Sequence, residues 1–204
     1  MKIRKLLFII GIILIISGIG VIAWFFARNQ ISQQKMESIT EEFMEELAAW
    51  PDSEIIPIEY NADELLVGST IGVLEFPKFA NQRVAIKEGS TNDILRIAAG
   101  HMTNTEQIWE KAGTSAIAAH NDTFFKNIKD LVIGDKIIAY TREGVFEYEV
   151  YENKIVEPTD LSVLNDINGQ KTLTLITCNF SGSKRVIVMA KGGEKIGEVS
   201  NIKN

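Results

Sequence analysis

Thr172-Leu173-Thr174-Leu175-Ile176-Thr177-Cys178 is the stretch on which the reading of this chain turns. β-branched residues dominate it, and Thr172, Thr174 and Ile176 alternate with Leu173, Leu175 and Thr177, so it reads as a strand that delivers Cys178 at its end. Asn179-Phe180-Ser181-Gly182-Ser183-Lys184 then carries turn chemistry, and Val186-Ile187-Val188-Met189 resumes the strand pattern after Arg185. Paired as a hairpin, the two runs make Cys178 and Arg185 cross-strand neighbours, with β-carbons roughly 5 Å apart when directly opposite. A permanent cation beside a thiol favours the thiolate and can hold an oxyanion.

Toward the N-terminus, Met1-Lys2-Ile3-Arg4-Lys5 leads into residues 6–27, which contain no charged side chain. That length crosses a hydrocarbon core as a helix. The run exceeds the ~7–15-residue core of a cleaved signal peptide, and Ala23-Trp24-Phe25-Phe26-Ala27 is a poor cleavage site. The segment therefore reads as an uncleaved single-pass anchor. Three basic residues precede it and Arg28 follows it, which places the N-terminus in the cytoplasm and the remainder outside the cell. Cys178 is the only cysteine in 204 residues, so no intrachain disulfide accounts for it. A small buried hydrophobe is the ordinary alternative for a lone cysteine, and the nearby arginine favours a working thiol.

Charge is unevenly spread. Of the 27 acidic residues, ten fall between Met36 and Glu64, where there is no lysine or arginine; from residue 65 onward, 16 basic residues face 17 acidic ones. No basic stripe supports nucleic-acid binding. Met36, Ile39, Phe43, Leu47 and Trp50 recur at spacings of three and four among glutamates, the pattern of an amphipathic stalk helix that Pro51 ends. Its negative charge predicts a following domain held away from anionic headgroups. The division is thus 1–28 cytoplasmic tip and transmembrane anchor, 29–64 acidic stalk helix and linker, and 65–204 folded domain.

Within that domain, residues 65–76, 83–87, 115–119, 132–140 and 145–151 read as strands, with a short helix over Ile94, Leu95 and Ile97, a one-turn helix after Phe124-Phe125 and another short helix over Leu161 and Leu164. Ala98-Ala99-Gly100-His101 reads as the entry to a polar loop. Many short strands, few helices and Gly-rich turns indicate an all-β barrel or sandwich. If Cys178 is a nucleophile that cleaves an amide, the leaving amine needs a proton, and arginine cannot supply one because it does not deprotonate. Only His101 and His120 are available. His120 ends a strand before the polar turn Asn121-Asp122-Thr123, which favours it, while His101 stands as the alternative base or as a wall residue.

The chain resembles the sortase family, the membrane-anchored cysteine transpeptidases of Gram-positive bacteria. The resemblance rests on Thr174-Leu175-Ile176-Thr177-Cys178, on Arg185 in the next strand and on Ala119-His120-Asn121-Asp122-Thr123-Phe124-Phe125 upstream. Ile71-Gly72-Val73-Leu74 and Leu131-Val132-Ile133-Gly134-Asp135 add to it. It implies an eight-stranded sortase-type β-barrel over roughly residues 65–191. It further implies Cys178 as nucleophile, His120 as general acid/base and Arg185 as holder of substrate or oxyanion. Thr177, His101 and Ala119 are implied to line the substrate pocket; Ala119 stands where most of the family has glycine, and Gly100-His101 resembles a pair found in class D.

The implied substrates are surface proteins with an LPXTG-like sorting signal and an amine of a peptidoglycan precursor of the lipid II type. No metal or organic cofactor is required. No second apolar span follows Met189, and no aspartate-aromatic lid motif lies between Phe76 and Leu95, which argues against a pilin-polymerising class C enzyme. The rivals are a non-catalytic, membrane-tethered wall-binding β-domain and an L,D-transpeptidase, whose Ser-x-Gly-Cys motif does not match Ile176-Thr177-Cys178.

Overall fold

The computed structural model describes residues 2–49, 65–167 and 169–198. Its strands are β1 (Thr70–Phe76), β2 (Gln82–Glu88), β3 (Ala99–His101), β4 (Gly113–Ala118), β5 (Lys136–Thr141), β6 (Gly144–Val156), β7 (Lys171–Cys178) and β8 (Arg185–Gly197), with helices α1 (Lys2–Ala49) and α2 (Asn92–Leu95). The eight strands close into one barrel in the order β1-β2-β3-β4-β7-β8-β6-β5, with β5 returning to β1. The pairs β2–β3 and β4–β7 are parallel and the others antiparallel. A parallel neighbour needs a crossover, and α2 lies in the one that joins β2 to β3.

The alternation in each strand sorts its side chains between barrel interior and outer face. Leu173 and Leu175 of β7, Ile117 of β4, and Val188 and Ala190 of β8 join Ile71, Phe76, Phe124, Phe125 and Tyr148 in the main core. The opposite face of this region is covered too. Val163, in a short 3-10 turn at Ser162–Leu164, packs with Ile187 and Met189 of β8 and against Ile176 of β7. Strand β7 is therefore apolar on both sides, which is why its threonines are β-branched fillers whose hydroxyls find local acceptors: Thr174 donates to the Val163 carbonyl at 3.2 Å.

The structure differs from the sequence reading in three places. Strand β3, read as a loop, is a three-residue strand too short to show a period; a Cβ at Gly100 would collide with the Gly89 carbonyl, so glycine is what lets it lie there. Strand β1 starts at Thr70 because residues 66–69 form a turn with Gly68 at φ 94°. Strand β5 starts at Lys136, since Val132, Gly134 and Asp135 make a turn in which the Asp135 carboxylate accepts from the Val132 N–H at 2.6 Å and from Lys78 at 2.7 Å.

Helix α1 runs through Arg28 without a break. It is the one helix among the described residues long and apolar enough to cross a membrane, with mean hydropathy 2.8 in its apolar part, where side chains such as Phe8 and Leu14 are exposed. Beyond it the stripe foreseen in the stalk docks on the barrel: Phe43 and Leu47 bury against Val73 and Tyr140, and Met36 joins the main core. Arg142, in the β5–β6 turn, forks the Glu46 carboxylate at 2.7 and 2.8 Å and lies 4.7 Å over the Phe43 ring.

The Ser32 hydroxyl donates to the Arg96 carbonyl, so the barrel reaches down to within a few residues of the apolar segment. Trp50, Pro51 and the expected linker up to Glu64 lie outside the described residues. Truncating fully buried Leu47 to alanine removes about 2–5 kcal/mol of stability, which urea unfolding of the detergent-solubilised chain measures, whereas exposed Glu37→Gln stays within about 0.5 kcal/mol of the parent.

Candidate active site

Three strand ends bring the candidate residues together. Strand β4 pairs in parallel with β7 from Gly113–Lys171 to Ala118–Ile176, and the ladder continues one step further through the Ala119 N–H, which donates to the Ile176 carbonyl at 3.1 Å. His120 follows two residues past the Ala118–Ile176 pair, and Cys178 lies two residues past the same pair on β7. On the other side of β7, Cys178 is paired with Arg185 at the first residue of antiparallel β8. β4, β7 and β8 are adjacent in the barrel, so His120, two residues past the end of β4, and the paired Cys178 and Arg185 follow one another in a row in that strand order.

Side-chain parity puts Cys178 and Arg185 on one face. Thr172, Thr174 and Ile176 of β7 point away from the barrel interior, as do Thr114 of β4 and Ile187 and Met189 of β8. Cys178 and Arg185 share those parities and are directed outward, and both of them and His120 are partly exposed.

The loops that carry the row are tied to each other. The Thr177 hydroxyl donates to the Ala119 carbonyl at 2.7 Å, and the Asn121 side-chain amide donates to the Asn179 carbonyl at 2.7 Å. Asn179 organises the β7–β8 turn through its side-chain oxygen, which accepts from the Lys184 N–H at 3.1 Å and the Ser181 hydroxyl at 3.2 Å. Arg185 directs Nη1 at the carbonyls of Gly182 and Lys184, at 3.3 and 3.4 Å. Such long, exposed bonds are readily exchanged for a substrate carbonyl or an oxyanion. Asn121 and Asn179 were not singled out from the sequence. Their signal is an asparagine one residue after each of His120 and Cys178, where its amide can bond neighbouring backbone.

Residues 74–192 match the family model described as the Sortase domain. The chain belongs to the sortase family. It is 32% identical to Sortase D of Bacillus subtilis over 129 residues, 61% of this chain and 64% of that protein. It is also 32% identical to Sortase A of Bacillus anthracis over 133 residues, 62% of this chain and 60% of that protein. The matches therefore span less than two thirds of these relatives. Among solved structures it is similar to a Sortase D5 transpeptidase of Clostridium perfringens, with 31% identity and a TM-score of 0.65 over 78% of this chain and 98% of that one. The closed eight-stranded barrel is the sortase fold, and the class D resemblance read from the sequence agrees with these relatives.

The structure places the three expected pocket residues of this sortase away from the cleft surface. Thr177 is buried and its hydroxyl is committed to Ala119. Ala119 is 6% exposed and belongs to the main core, so its methyl adds volume to the barrel interior rather than crowding the cleft.

His101 has no exposed surface. Its Nδ1 faces the Glu88 carboxylate at 3.0 and 3.2 Å, and its Nε2 donates to the Glu106 carbonyl at 3.0 Å. Thr105 Oγ1, 3.2 Å from Nε2, gives its own proton to the Met102 carbonyl, so it too acts as an acceptor there. Both ring nitrogens are engaged by protein groups and the ring is sealed from solvent, which makes His101 a structural partner of Glu88. His120 is the histidine left on the cleft.

The Glu88 carboxyl is held below its ordinary value of 4.5. Burial pushes it up, but hydrogen bonds from His101, Gln107 and the Gly89 N–H, with the charge of His101, together pull it down further. A depressed carboxyl stabilises the fold fully above about pH 4.5 and loses that contribution as pH falls through the lower folded-state value. Thermal melts taken from neutral pH down to pH ~3 therefore show a smaller acid-induced drop in Tm for Glu88→Gln than for the parent; parallel curves would mean that Glu88 and His101 are not ion-paired.

Proposed function

We propose that this chain is a class D-like sortase, a cysteine transpeptidase that cleaves an LPXTG-like sorting signal between Thr and Gly and transfers the acyl-protein to an amine of a peptidoglycan precursor of the lipid II type. The observation that supports this most is the pairing of Cys178 with Arg185 at the end of β7, next to the parallel β4 that leads into His120. The catalytic domain is assigned to residues 65–204, residues 6–27 anchor it in the cell membrane with the N-terminus cytoplasmic, and the cleft faces outward from the cell.

Cys178 Sγ adds to the threonine carbonyl carbon of the sorting signal. Negative charge moves to the carbonyl oxygen, where Arg185 supplies a fixed positive donor. The carbon–nitrogen bond to glycine then breaks as His120 gives its proton to the departing amine, leaving a thioester on Cys178. An acceptor amine attacks the thioester, passes a proton to His120, and expels the Cys178 sulfur as the new amide bond forms. The second step proceeds because a thioester is more reactive toward amines than the amide it replaced. Thr177 and Asn121 act here as positioning residues, holding the histidine loop against the cysteine strand.

A labelled LPXTG peptide incubated with the full chain and an amine acceptor tests the assignment. Cleavage is lost in Cys178→Ala and falls about 10²–10⁴-fold in His120→Ala. His101→Ala lowers the melting temperature instead, with transfer per folded molecule preserved. Undiminished cleavage by Cys178→Ala would sink the proposal.

A further inference from the structure

A cleft of about 710 Å³ lies between α1 and the loop that follows β4. Its helix side includes Trp24, Arg28 and Lys35; its barrel side includes Arg96, His120, Asp122 and Thr123. Three permanent or near-permanent cations thus face one carboxylate, Asp122. Arg28 lies 5.6 Å over the Trp24 ring, and Arg96 makes an exposed ion pair with Asp93 at 3.3 Å, which offsets part of its charge and, being solvated, leaves its remaining N–H donors free for an anion. Thr123 Oγ1 is buried at the cleft wall and has no hydrogen-bond partner among the described residues. Cations grouped with an unsatisfied hydroxyl at one cavity make a site that wants a polyoxygen anion.

The helix supplies the depth of that site relative to a bilayer. With a rise of ~1.5 Å per residue, Arg28 stands about one residue beyond the apolar segment and Lys35 about 12 Å beyond Ala27. The headgroup region on each side of a bilayer is roughly 5–8 Å thick. Trp24 is placed at the interface where indoles concentrate. The cleft therefore straddles the layer in which lipid phosphates sit.

We infer that the cleft formed by Arg28, Lys35, Arg96 and Thr123 binds the phosphate headgroup of an anionic membrane lipid, directly beside His120. The occupant is lipid-borne because α1, which carries Arg28 and Lys35, leaves the bilayer at that level; the inference rests on residues 6–27 crossing the membrane. Recruitment of the headgroup docks the mouth of the cleft on the bilayer surface, where a membrane-held substrate is delivered.

The chain has only two histidines, which makes the test specific. Full-length protein carrying 13C-labelled histidine is placed in nanodiscs of phosphatidylcholine with increasing phosphatidylglycerol, and both imidazole resonances are followed by NMR. Co-elution with the discs reports separately on whether α1 inserts. His120 is expected to shift with phosphatidylglycerol content while buried His101 stays fixed and reports an intact fold.

The triple variant Arg28→Gln, Lys35→Gln, Arg96→Gln weakens the response on the order of 100-fold, since each juxtamembrane cation contributes several-fold to binding an anionic surface. Lys111→Gln with Lys191→Gln, at the far end of β7, keeps it. Absence of any lipid-dependent shift in inserted protein, or a shift that survives the triple substitution, would overturn the site. An equal shift caused by inorganic phosphate in pure phosphatidylcholine discs, at matched phosphate concentration, would overturn the lipid source.

Discussion

Six residues of β4 lie in parallel register with six of β7, and the candidate site depends on that ladder. Parallel strands end at the same edge of a sheet, so a histidine placed after one and a cysteine at the end of the other lie at that same edge without any long loop to hold them. The antiparallel return of β8 then starts where β7 stops, which adds Arg185 to the same edge. A one-residue slip in β4 against β7 would send His120 to the interior face and Ala119 outward. Closure of the barrel, with apolar side chains on both faces of β7, is what forbids the slip.

The same constraint explains the division of labour among polar side chains. Thr177, one residue before Cys178, faces the interior and has nothing to offer a substrate, but its hydroxyl is the natural partner for the Ala119 carbonyl across the ladder. Asn121 and Asn179 repeat the stitch one step further out. Such bonds are modest singly, about 1 kcal/mol each, and their value here is that they tie together the two loops that carry His120 and Cys178.

Much of this was legible in the residues. The alternation of Thr172 to Thr177 is a local pattern, so the strand and its terminal cysteine could be read directly, as could the hairpin that brings Arg185 across. The pairing of β4 with β7 joins segments nearly sixty residues apart, and periodicity carries no information about partners at that distance; the sortase resemblance implied a barrel, and the structure supplies the pairing. His101 misled because glycine beside histidine looks alike in a loop and in a short buried strand. Its pairing with Glu88 follows from the parallel β2–β3 register, in which Glu88 and His101 are direct partners. The continuity of α1 was hidden by the change from apolar to acidic composition at Arg28, which alters what surrounds a helix without ending it.

The central claim is that Cys178 bears the acyl group during turnover. Intact-mass spectrometry of the full chain, quenched in acid during reaction with a sorting-signal peptide and no acceptor amine, tests it most directly. The account predicts a covalent adduct equal to the peptide acyl portion through threonine, mapped to Cys178 and released by hydroxylamine. Peptide cleavage that proceeds with no adduct at any quench time, or an adduct mapped to another residue, would contradict it.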